Sequence, residues 1–289
     1  MIGGRIMDYI IFPSDYFDGK QVETEYLSEY QACQTETQTI IFNYEKFFEE
    51  NQLILNQANL EPGIAIYRGW MMTPKQYQSF YSQLRDKYQI ELLTSPEQYE
   101  QFHLFPNIYP ELIEDTPKML NFPLGTKADI EKIRSQMSEF MIKDYVKSAK
   151  GTELPSRISS AISQQQLDEY LEIFYRYRGD LLTGGICIKE YVELKTLNDR
   201  HNEYRVFYAN GKIISIAESV ANDEFTTQPS RELIEKYQHL PSPFYTVDYA
   251  ELADGSWIVI EAGDGQVSGL SDHQDRVAFM AMLNEAMKG

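Results

Sequence analysis

An Asp-Gly pair near the end of the chain constrains the fold more than any other feature. It lies in VDYAELADGSWIVIEAGDG, residues 247–265, where apolar runs flank Asp254 and Gly255. Asp-Gly between two such runs is a strong signal for a two-residue β-hairpin turn. The sequence therefore predicts a buried hairpin with its turn at these two residues.

Each strand of this hairpin carries one carboxylate among apolar neighbours. Pairing Ala253 with Ser256 sets Asp248 opposite Glu261, with their Cβ atoms about 5 Å apart. Two like charges at that distance repel by roughly 3 kcal/mol at an effective dielectric constant of about 20. A shared proton or a bound cation would offset this repulsion, and facing carboxylates suit Mg²⁺ held with nucleotide phosphates. The alternative is a bulge that shifts the register and turns one carboxylate to water.

The bulk composition excludes several classes of protein. A chain of 289 residues suits one large domain or two to three packed subdomains. A formal charge of -18 argues against binding nucleic acid through a basic surface, although a local basic cleft is compatible with it. Cys33 and Cys187 are too few for a disulfide framework or a zinc cluster and fit a reducing cytoplasm. No apolar run has the length of a membrane span, and Asp8 interrupts any signal peptide, so we expect a cytoplasmic monomer or homodimer without a membrane partner.

The pattern of apolar runs changes along the chain. In the first part, short apolar strands alternate with helical stretches, one of which begins with Thr73 as N-cap and Pro74 in its first turn. That alternation predicts an open α/β layer. Prolines at 106, 110 and 117 interrupt the pattern, and we predict a domain boundary near residue 117.

The second part, residues 118–289, has hairpins in place of alternation. Asn210-Gly211 predicts a second hairpin turn, and the helix QQLDEYLEIFYRYR has apolar residues on one side. Antiparallel sheet with helices is an α+β arrangement. The predicted fold class is thus α/β plus α+β. The helix residues predicted to be buried are Leu167, Leu171 and Phe174.

Lysines and acids at strand ends are candidates for nucleotide binding. Lys143 and Lys147 precede the Ser- and Gly-bearing stretch 148–163, which we expect to be mobile. They could meet phosphates as point charges or simply be solvated. Glu190 and Glu193 surround the end of the strand GGICIKEYVELK, where Glu193 could equally be an exposed charge.

Arg205 needs an anionic partner if its strand is buried. It shares a face with Glu203, which allows an ordinary ion pair. The turn at Asn210-Gly211 predicts that Arg205 lies opposite Ile216 and that Glu203 lies opposite Glu218. Neither a Walker loop nor a GxGxxG fingerprint is present, so any use of ATP follows another route.

The order of these pieces resembles the ATP-grasp superfamily. The likeness covers residues 118–289 and rests on MIKDYVKS, SAKGTELPS, CIKEYVEL and NEYRVFY, followed by Asp248 and Glu261. YRGWMMTPKQY, HLFPNIYPELIEDTPK and IEAGDGQVSGL further resemble a branch from bacteria and their viruses, described as ATP-grasp domain proteins of unsettled substrate. The resemblance implies an N-terminal domain over 1–117. It also implies an antiparallel-sheet nucleotide-binding domain over 118–289, with a small subdomain over about 118–190 and a large one over about 191–289.

The resemblance also implies a role for individual residues. Lysines would hold the nucleotide phosphates, a strand-end hinge would hold adenine, and Glu193 would reach the ribose. The implied lysines are Lys118, Lys143 and Lys147, and the hinge is formed by the backbone of Glu190, Tyr191 and Val192.

The remaining implied roles concern the transferred phosphoryl group and the metal. Arg205 would neutralise the phosphoryl group, and Arg68 in YRGW would point toward the phosphates or the substrate. Asp248 and Glu261 would hold Mg²⁺. The family commonly has Asn two positions after the metal glutamate, but this chain has Gly263 followed by Asp264, so either Asp264 replaces that ligand or metal binding is altered.

What the resemblance implies about function is an ATP-dependent ligase with ATP and Mg²⁺ as cofactors. A carboxylate would become an acyl phosphate and then react with an amine or a thiol. An amino acid or a peptide is the expected substrate, as a small-molecule or peptide partner. The alternatives are a kinase of the same fold that phosphorylates a hydroxyl group, and a catalytically silent ATP-binding module.

Overall fold

The structure is a computed structural model that describes residues 7–33, 37–146, 153–219 and 225–288. The chain divides into two units, each assembled from separate stretches. Unit 1 comprises Met1–Phe102, Glu203–Asp248 and Ala262–Gly289, and unit 2 comprises His103–Asn202 and Tyr249–Glu261. The predicted domains are continuous along the chain, so the boundary near residue 117 stays a prediction.

The described residues form strands and helices with the following bounds. The strands are β1 (Tyr9–Pro13), β2 (Gln38–Phe42), β3 (Gly63–Tyr67), β4 (Ile90–Leu92), β5 (Met119–Pro123), β6 (Glu139–Asp144), β7 (Ile158–Ser159), β8 (Gly185–Glu190), β9 (Thr196–Leu197), β10 (Arg200–His201), β11 (Glu203–Ala209), β12 (Lys212–Glu218), β13 (Phe244–Glu251) and β14 (Trp257–Asp264). The α-helices are α1 (Leu27–Cys33), α2 (Tyr44–Glu50), α3 (Pro74–Gln83), α4 (Pro96–His103), α5 (Phe105–Leu112), α6 (Ile130–Arg134), α7 (Gln164–Arg178), α8 (Arg231–Lys236) and α9 (Arg276–Met287).

A parallel sheet with the strand order β2-β1-β3-β4 lies in unit 1. Its central strand β1 is buried along its whole length. Ile10 and Phe12 pack into the core on one face, and Tyr9 and Ile11 pack into the core on the other. A strand buried on both faces has a continuous apolar sequence, which is typical of parallel sheets. The predicted α/β layer is confirmed.

One of these two cores joins distant parts of the sequence. Ile10 and Phe12 share it with Phe207, Phe244 and Phe279. The first of these three belongs to β11, the second to β13 and the third to α9. The parallel layer and the last elements of the chain therefore bury their apolar faces against each other within unit 1.

The predicted start of α3 is confirmed in detail. The Thr73 side chain accepts a hydrogen bond from the Gln76 N–H, and the Gln76 side chain accepts one from the Thr73 N–H. Pro74 occupies the first turn, where its missing N–H leaves no unmet bond. Local sequence fixes this helix end without help from distant residues.

The hairpin of β11 and β12 turns at Asn210 and Gly211 as predicted. Both residues have positive φ, 47° and 71°, as an Asn-Gly hairpin turn requires. Next to the turn, Ala209 pairs with Lys212.

Further along this hairpin the predicted register is wrong by one residue. A bulge between Phe207 and Tyr208 shifts the pairing of the two strands. The observed pairs are Arg205 with Ala217 instead of Ile216, and Glu218 with Tyr204 instead of Glu203.

The turn between β13 and β14 is longer than the predicted two residues. The Gly255 N–H donates to the Leu252 carbonyl, and Leu252, not Ala253, bonds to Ser256. Gly255 has a φ of 87°, so the connection is a three-residue loop that ends in a glycine bulge. At the open end, the Gly265 N–H donates to the Phe244 carbonyl, in a register that differs by one residue from that at the turn.

Unit 2 contains an antiparallel sheet with the order β5-β8-β6-β7. One face of this sheet packs against α6 and α7 in a single core. The core includes Leu167, Leu171 and Phe174, which confirms the predicted apolar side of α7. The opposite face carries the polar residues described below.

None of the helices within the described ranges combines the length and the apolar character needed to cross a bilayer.

Candidate functional site

The polar face of the unit 2 sheet is centred on Lys189. Along β8, Ile186 and Ile188 pack against the helices, so Cys187 and Lys189 lie on the other face. Lys189 pairs with Met119 of β5 on one side and with residue 141 of β6 on the other. A lysine at the centre of a three-strand stretch has little access to water.

Lys189 is buried and has few polar contacts. Only 5% of the residue is exposed, and its Nζ donates to the Ile260 carbonyl at 2.5 Å. The same nitrogen lies 4.5 Å from the centre of the Phe105 ring. Burial lowers the pKa of the ammonium to about 7, and the nearby charge of Lys143 acts in the same direction, while Glu261 opposes both. At neutral pH this lysine is therefore only partly protonated. A bound anion would favour its charged form.

Lys143 lies on the same face of the sheet as Lys189. It pairs with Cys187, two residues along β8 from Lys189, and is half-buried. Among the described residues, none forms a hydrogen bond or ion pair with its ammonium group. Two lysine side chains thus share one sheet face, as a pair that could meet a polyphosphate.

The other two predicted lysines differ from this pair. Lys118 is exposed, and its Nζ donates to the Gln136 carbonyl at 3.2 Å. Its own backbone exchanges bonds with Glu190, because its N–H reaches the Glu190 carboxylate and its carbonyl accepts the Glu190 N–H. Lys147 lies outside the described residues, as does the first part of the predicted loop 148–163.

The predicted adenine hinge follows directly after β8. The Glu190 N–H donates to the Lys118 carbonyl at 2.8 Å, and the Tyr191 N–H donates to the Glu139 carbonyl at 3.0 Å. The Val192 N–H has no hydrogen-bond partner within the described chain. Of the three hinge residues, Val192 therefore keeps a backbone donor available, and it is half-buried.

The side chains around this hinge are held by their own contacts. Arg157 binds both oxygens of Glu139, at 2.8 and 2.7 Å, and its guanidinium lies 5.0 Å from the Tyr191 ring centre. Glu193 is exposed, and its carbonyl accepts the Ala253 N–H. The Glu193 carboxylate is thus free to meet solvent or a ribose.

In unit 1, Arg205 binds Asp248. Its Nε and Nη2 donate to the two carboxylate oxygens of Asp248 at 2.8 and 2.7 Å. Its Nη1 donates to the Gly269 carbonyl at 3.1 Å. Both members of this bidentate pair are predicted site residues, and their contact with each other was not predicted.

Glu261 lies on β14, the neighbour of β13 in the sheet. Its carboxylate is half-buried, and no described residue hydrogen-bonds to it. It acts on the pKa of Lys189 through space, in the direction that favours the charged ammonium. Its alignment face to face with Asp248 stays a prediction.

Asp264 is buried in unit 1 and uses one of its two carboxylate oxygens for hydrogen bonds. It is 1% exposed, and one oxygen accepts hydrogen bonds from the backbone and the side chain of Gln266. The other oxygen is buried without a hydrogen-bond partner in the described residues. Burial raises the pKa of this carboxyl to about 7. Burial also raises the pKa values of Tyr77 and Tyr99, and the nearby charge of Asp264 acts in the same direction. The role of Asp264 as a metal ligand stays a prediction.

Arg68 lies in the interior of unit 1. It is 1% exposed and forms a bidentate ion pair with Glu29 at 2.8 and 2.9 Å. Its Nη1 donates to the carbonyls of Gly265 and Ser268. All of these donors serve the interior of unit 1, because a guanidinium buried among carbonyls needs every bond satisfied. Its predicted role toward the phosphates or a substrate stays a prediction.

The residue that sequence reasoning missed is Lys189. Its signal is present in the alternation of GGICIKEYVELK, where Lys189 shares a face with Cys187 in the middle of an apolar strand. A lysine at such a position needs an explanation, since lysines are almost never fully buried unless paired.

Within the described ranges, no group of three or more His, Cys, Asp and Glu side chains is arranged to hold a metal ion. Mg²⁺ requires less of the protein, because it commonly binds one or two carboxylates together with substrate phosphates. Asp248 and Glu261 supply oxygen ligands of the right type. Each Asp248 oxygen still has acceptor capacity beyond its bond to Arg205.

Comparison with known proteins identifies the architecture. A family model described as an ATP-grasp domain, family 3 of its clade, matches residues 124–283. A search of curated protein sequences finds no significant match.

Solved structures resemble the whole chain at low sequence identity. The D-cycloserine synthetase DcsG has 14% identity and a TM-score of 0.62 over 97% of this chain and 100% of its own. The ATP-grasp ligase PsnB, complexed with a phosphomimetic variant of a minimal precursor, Mg and ADP, has 11% identity and a TM-score of 0.59 over 97% and 98%. The D-alanine–D-alanine ligase of Bacillus anthracis complexed with ATP has 12% identity and a TM-score of 0.58 over 98% and 97%. These similarities show the ATP-grasp fold, with a parallel sheet in the N-terminal part and antiparallel sheets elsewhere.

Proposed function

The chain belongs to this family of ATP-grasp domains, and on that premise we propose that it is an ATP-dependent ligase. It would activate a carboxylate with ATP and join it to an amine or a thiol. The observation that carries this proposal is the pair Lys143 and Lys189 on one sheet face, next to a hinge whose Val192 N–H is available. That combination offers cations for phosphates and a backbone donor for a base.

Adenine would bind at the hinge. Its ring nitrogens accept hydrogen bonds, and the Val192 N–H is the backbone donor of the hinge that no other described residue uses. The exposed Glu193 carboxylate follows directly and could accept a bond from a ribose hydroxyl. The hinge would then orient the nucleotide so that its phosphates extend along the sheet face.

The phosphates would lie against Lys143 and Lys189. A buried ammonium with a pKa of about 7 is held partly neutral by its surroundings. An approaching phosphate favours the charged form, so binding would draw a proton onto Lys189. The ligand's charge would replace the solvation that the ammonium lost on folding.

Asp248 and Glu261 are the residues that would hold Mg²⁺, and the type and the acceptor capacity of their oxygens fit this role. When bound with ATP, the ion would neutralise charge on the phosphates. Arg205 would hold the Asp248 carboxylate in a fixed orientation through its bidentate contact. Arg205 itself would be close to a phosphoryl group that binds beside the Asp248 carboxylate.

The proposed reaction has two steps. A substrate carboxylate attacks the γ-phosphate of ATP, which forms an acyl phosphate and releases ADP. An amine or thiol then attacks the acyl carbon, and phosphate leaves. Lys143, Lys189 and Arg205 would stabilise the charge that develops on the transferred group.

The substrate would be an amino acid or a peptide. Proteins of the same fold include a D-cycloserine synthetase, a D-alanine–D-alanine ligase and a ligase seen with a precursor peptide. Their shared chemistry favours a carboxylate on a small or peptidic substrate, although fold likeness alone does not set specificity.

Nucleotide affinity tests the site and phosphate release tests the reaction. ATP affinity is measured by calorimetry with and without Mg²⁺ for wild type, Asp248→Asn, Glu261→Gln and the exposed control Glu285→Gln. The increase in ATP affinity that Mg²⁺ causes should fall at least tenfold in the first two variants and stay unchanged in the control. Equal gains in all four proteins would favour a silent module.

Phosphate release is then followed with pools of amino acids and peptides, and products are identified by mass spectrometry. A product whose mass equals the two substrates minus water, formed with one phosphate per turnover, is expected. Phosphate retained on a hydroxyl acceptor would overturn the ligase assignment in favour of a kinase.

A further inference from the structure

Aromatic residues gather at the carboxyl edge of the parallel sheet in unit 1. Tyr16 and Phe17 follow β1, Tyr44 follows β2, and Trp70 follows β3. In the strand order β2-β1-β3-β4, the chain passes from β1 to β2 on one side and from β3 to β4 on the other, so the order reverses between β1 and β3. In open α/β sheets, ligands bind outside the carboxyl ends of the strands at such a switch point.

The rings form a continuous row. Phe17 contacts Tyr16 with ring centroids 5.1 Å apart, and Tyr16 contacts Tyr44 at 6.3 Å. Tyr44 contacts Trp70 at 5.0 Å, and Trp70 contacts the buried Tyr26 at 5.7 Å. We name these five residues the aromatic row. From Phe17 to Trp70, the part that is not buried, it measures at most about 16 Å, which an extended peptide spans with about five residues.

The loop that carries the exposed end of the row is held by its own hydrogen bonds. The Asp15 carboxylate accepts the N–H groups of Phe17 and Asp18, and the Asp15 N–H donates to the Gln21 carbonyl. This loop nevertheless leaves Phe17 94% exposed. A phenylalanine presented to water on a fixed loop contributes little to the core, so its place on the surface suggests a partner.

Carboxylates line the same row. The Trp70 indole N–H donates to Glu25 at 2.8 Å, and the Tyr16 hydroxyl donates to Glu49 at 2.5 Å. Burial raises the pKa of Tyr44, and the carboxylates of Glu23 and Glu49 raise it further. Among the described residues, no Lys or Arg forms an ion pair with Glu23, Glu25 or Glu49. The row is therefore an aromatic surface with unneutralised negative charge along it.

We propose that the aromatic row binds a basic peptide segment. An ammonium or guanidinium group over an aromatic ring is attracted by the ring face, and a neighbouring carboxylate adds to that attraction. Glu25 next to Trp70 and Glu49 next to Tyr16 provide this combination twice along the row. The length of the row and the exposed Phe17 fit a peptide with an apolar residue beside its basic ones.

The same charges disfavour the other partners. Nucleic acid and anionic lipid would be repelled by the carboxylates, and a second copy of this chain would bring the same negative surface together with its formal charge of -18. The inference uses no property of the nucleotide site, and it is tested without ATP.

The experiment uses the full chain with Trp257→Phe, which leaves Trp70 as the only tryptophan. The probe is an acetylated hexapeptide of alternating lysine and glycine, compared with peptides that have glutamine or glutamate in place of lysine. Trp70 fluorescence and calorimetry report binding. Only the lysine peptide should bind, and its affinity should weaken as salt rises from about 0.05 to about 0.5 M, because the attraction is screened.

Variants test whether the row itself is the binding surface. Phe17→Ser should weaken the lysine peptide about two- to fivefold, the effect of one exposed cation–aromatic contact. Glu25→Gln with Glu49→Gln should weaken it about fivefold or more. Leu181→Ser, which alters an exposed apolar residue of unit 2, should leave the affinity unchanged.

Three results would overturn the proposal. They are no binding of the lysine peptide, equal binding of the glutamate peptide, or equal affinities in wild type and the variants of the row. A concentration-dependent rise in mass that Phe17→Ser abolishes would assign the surface to self-association instead.

Discussion

Replacing Lys189 by methionine is expected to stabilise the ligand-free protein at pH 6 and to destabilise it at pH 10. The reason is the buried ammonium group. Its pKa falls from the ordinary 10.5 to about 7 in the folded chain because burial disfavours the charge. A difference of that size corresponds to about 5 kcal/mol of unfolding free energy.

The sign of the effect follows from proton binding. Below pH 7 both the folded and the unfolded chain hold the proton of Lys189, and the folded state bears the full penalty. Between pH 7 and 10.5 the unfolded chain binds more protons, so stability rises with pH. Above 10.5 the penalty is absent.

Methionine removes the penalty but also removes a contact. The Ile260 carbonyl loses its bond from Nζ, which costs about 1 to 3 kcal/mol. The net expectation is a gain of about 2 to 4 kcal/mol at pH 6 and a loss of about 1 kcal/mol at pH 10. The similar volume of the two side chains keeps packing changes small.

Urea unfolding at the two pH values measures this difference, provided that the slopes agree between variants. Lys127→Met, at an exposed lysine, is the control and should change stability by less than about 0.5 kcal/mol at both pH values. A Lys189→Met protein that is less stable than wild type at pH 6 would refute the idea that a costly charge is kept there for function. ATP should raise the melting temperature of wild type more than that of this variant.

Three further changes test other parts of the structure. Arg68→Met should lower the free energy of unfolding by about 3 to 5 kcal/mol, because it leaves Glu29 buried and unpaired, whereas Arg231→Met in an exposed pair should lower it by less than about 1 kcal/mol in the same urea titration. Asp264→Asn should raise the free energy of unfolding by up to about 4 kcal/mol at pH 8 and leave it unchanged below pH 4. The reason is the raised pKa of about 7, which makes the wild type lose stability as pH rises from 4 to 7. Urea curves with equal midpoints for both proteins at pH 8 would contradict this. Gly255→Ala should cost about 1 to 2 kcal/mol by thermal unfolding, since its φ of 87° disfavours any side chain, and an unchanged melting temperature would argue against the bulged turn.

Patterns that depend on neighbouring residues were the ones that the sequence predicted well. The Thr73 capping box, the Asn210-Gly211 turn and the continuous apolar run of β1 each reflect chemistry within a few residues. The ordered set of motifs then indicated the ATP-grasp fold, because a superfamily preserves the sequence of its elements even where each string is weak.

Register and partner choice were harder to predict. The bulge at Phe207 and Tyr208 moved Arg205 by one position against its neighbour strand, and no local signal announces such a bulge. The partner of Arg205 proved to be Asp248, which lies 43 positions further along the chain. Sequence spacing alone cannot choose among carboxylates at that separation.

Burial was the other quantity that sequence patterns did not supply. Arg68 and Asp264 belong to types that usually face water, but both lie in the interior of unit 1. Lys189 was overlooked for the same reason, because its importance comes from the residues above and beside it in the sheet.

The core that Ile10 and Phe12 share with Phe207 and Phe279 has a consequence for synthesis on the ribosome. The parallel layer emerges early, but α9, which covers one of its faces, leaves the exit tunnel long afterwards. Until then a nascent chain exposes a large apolar surface, which makes it a natural client for chaperones. A truncated fragment that keeps the parallel layer but ends before α9 would expose that surface permanently, so such a fragment is a poor choice for expression.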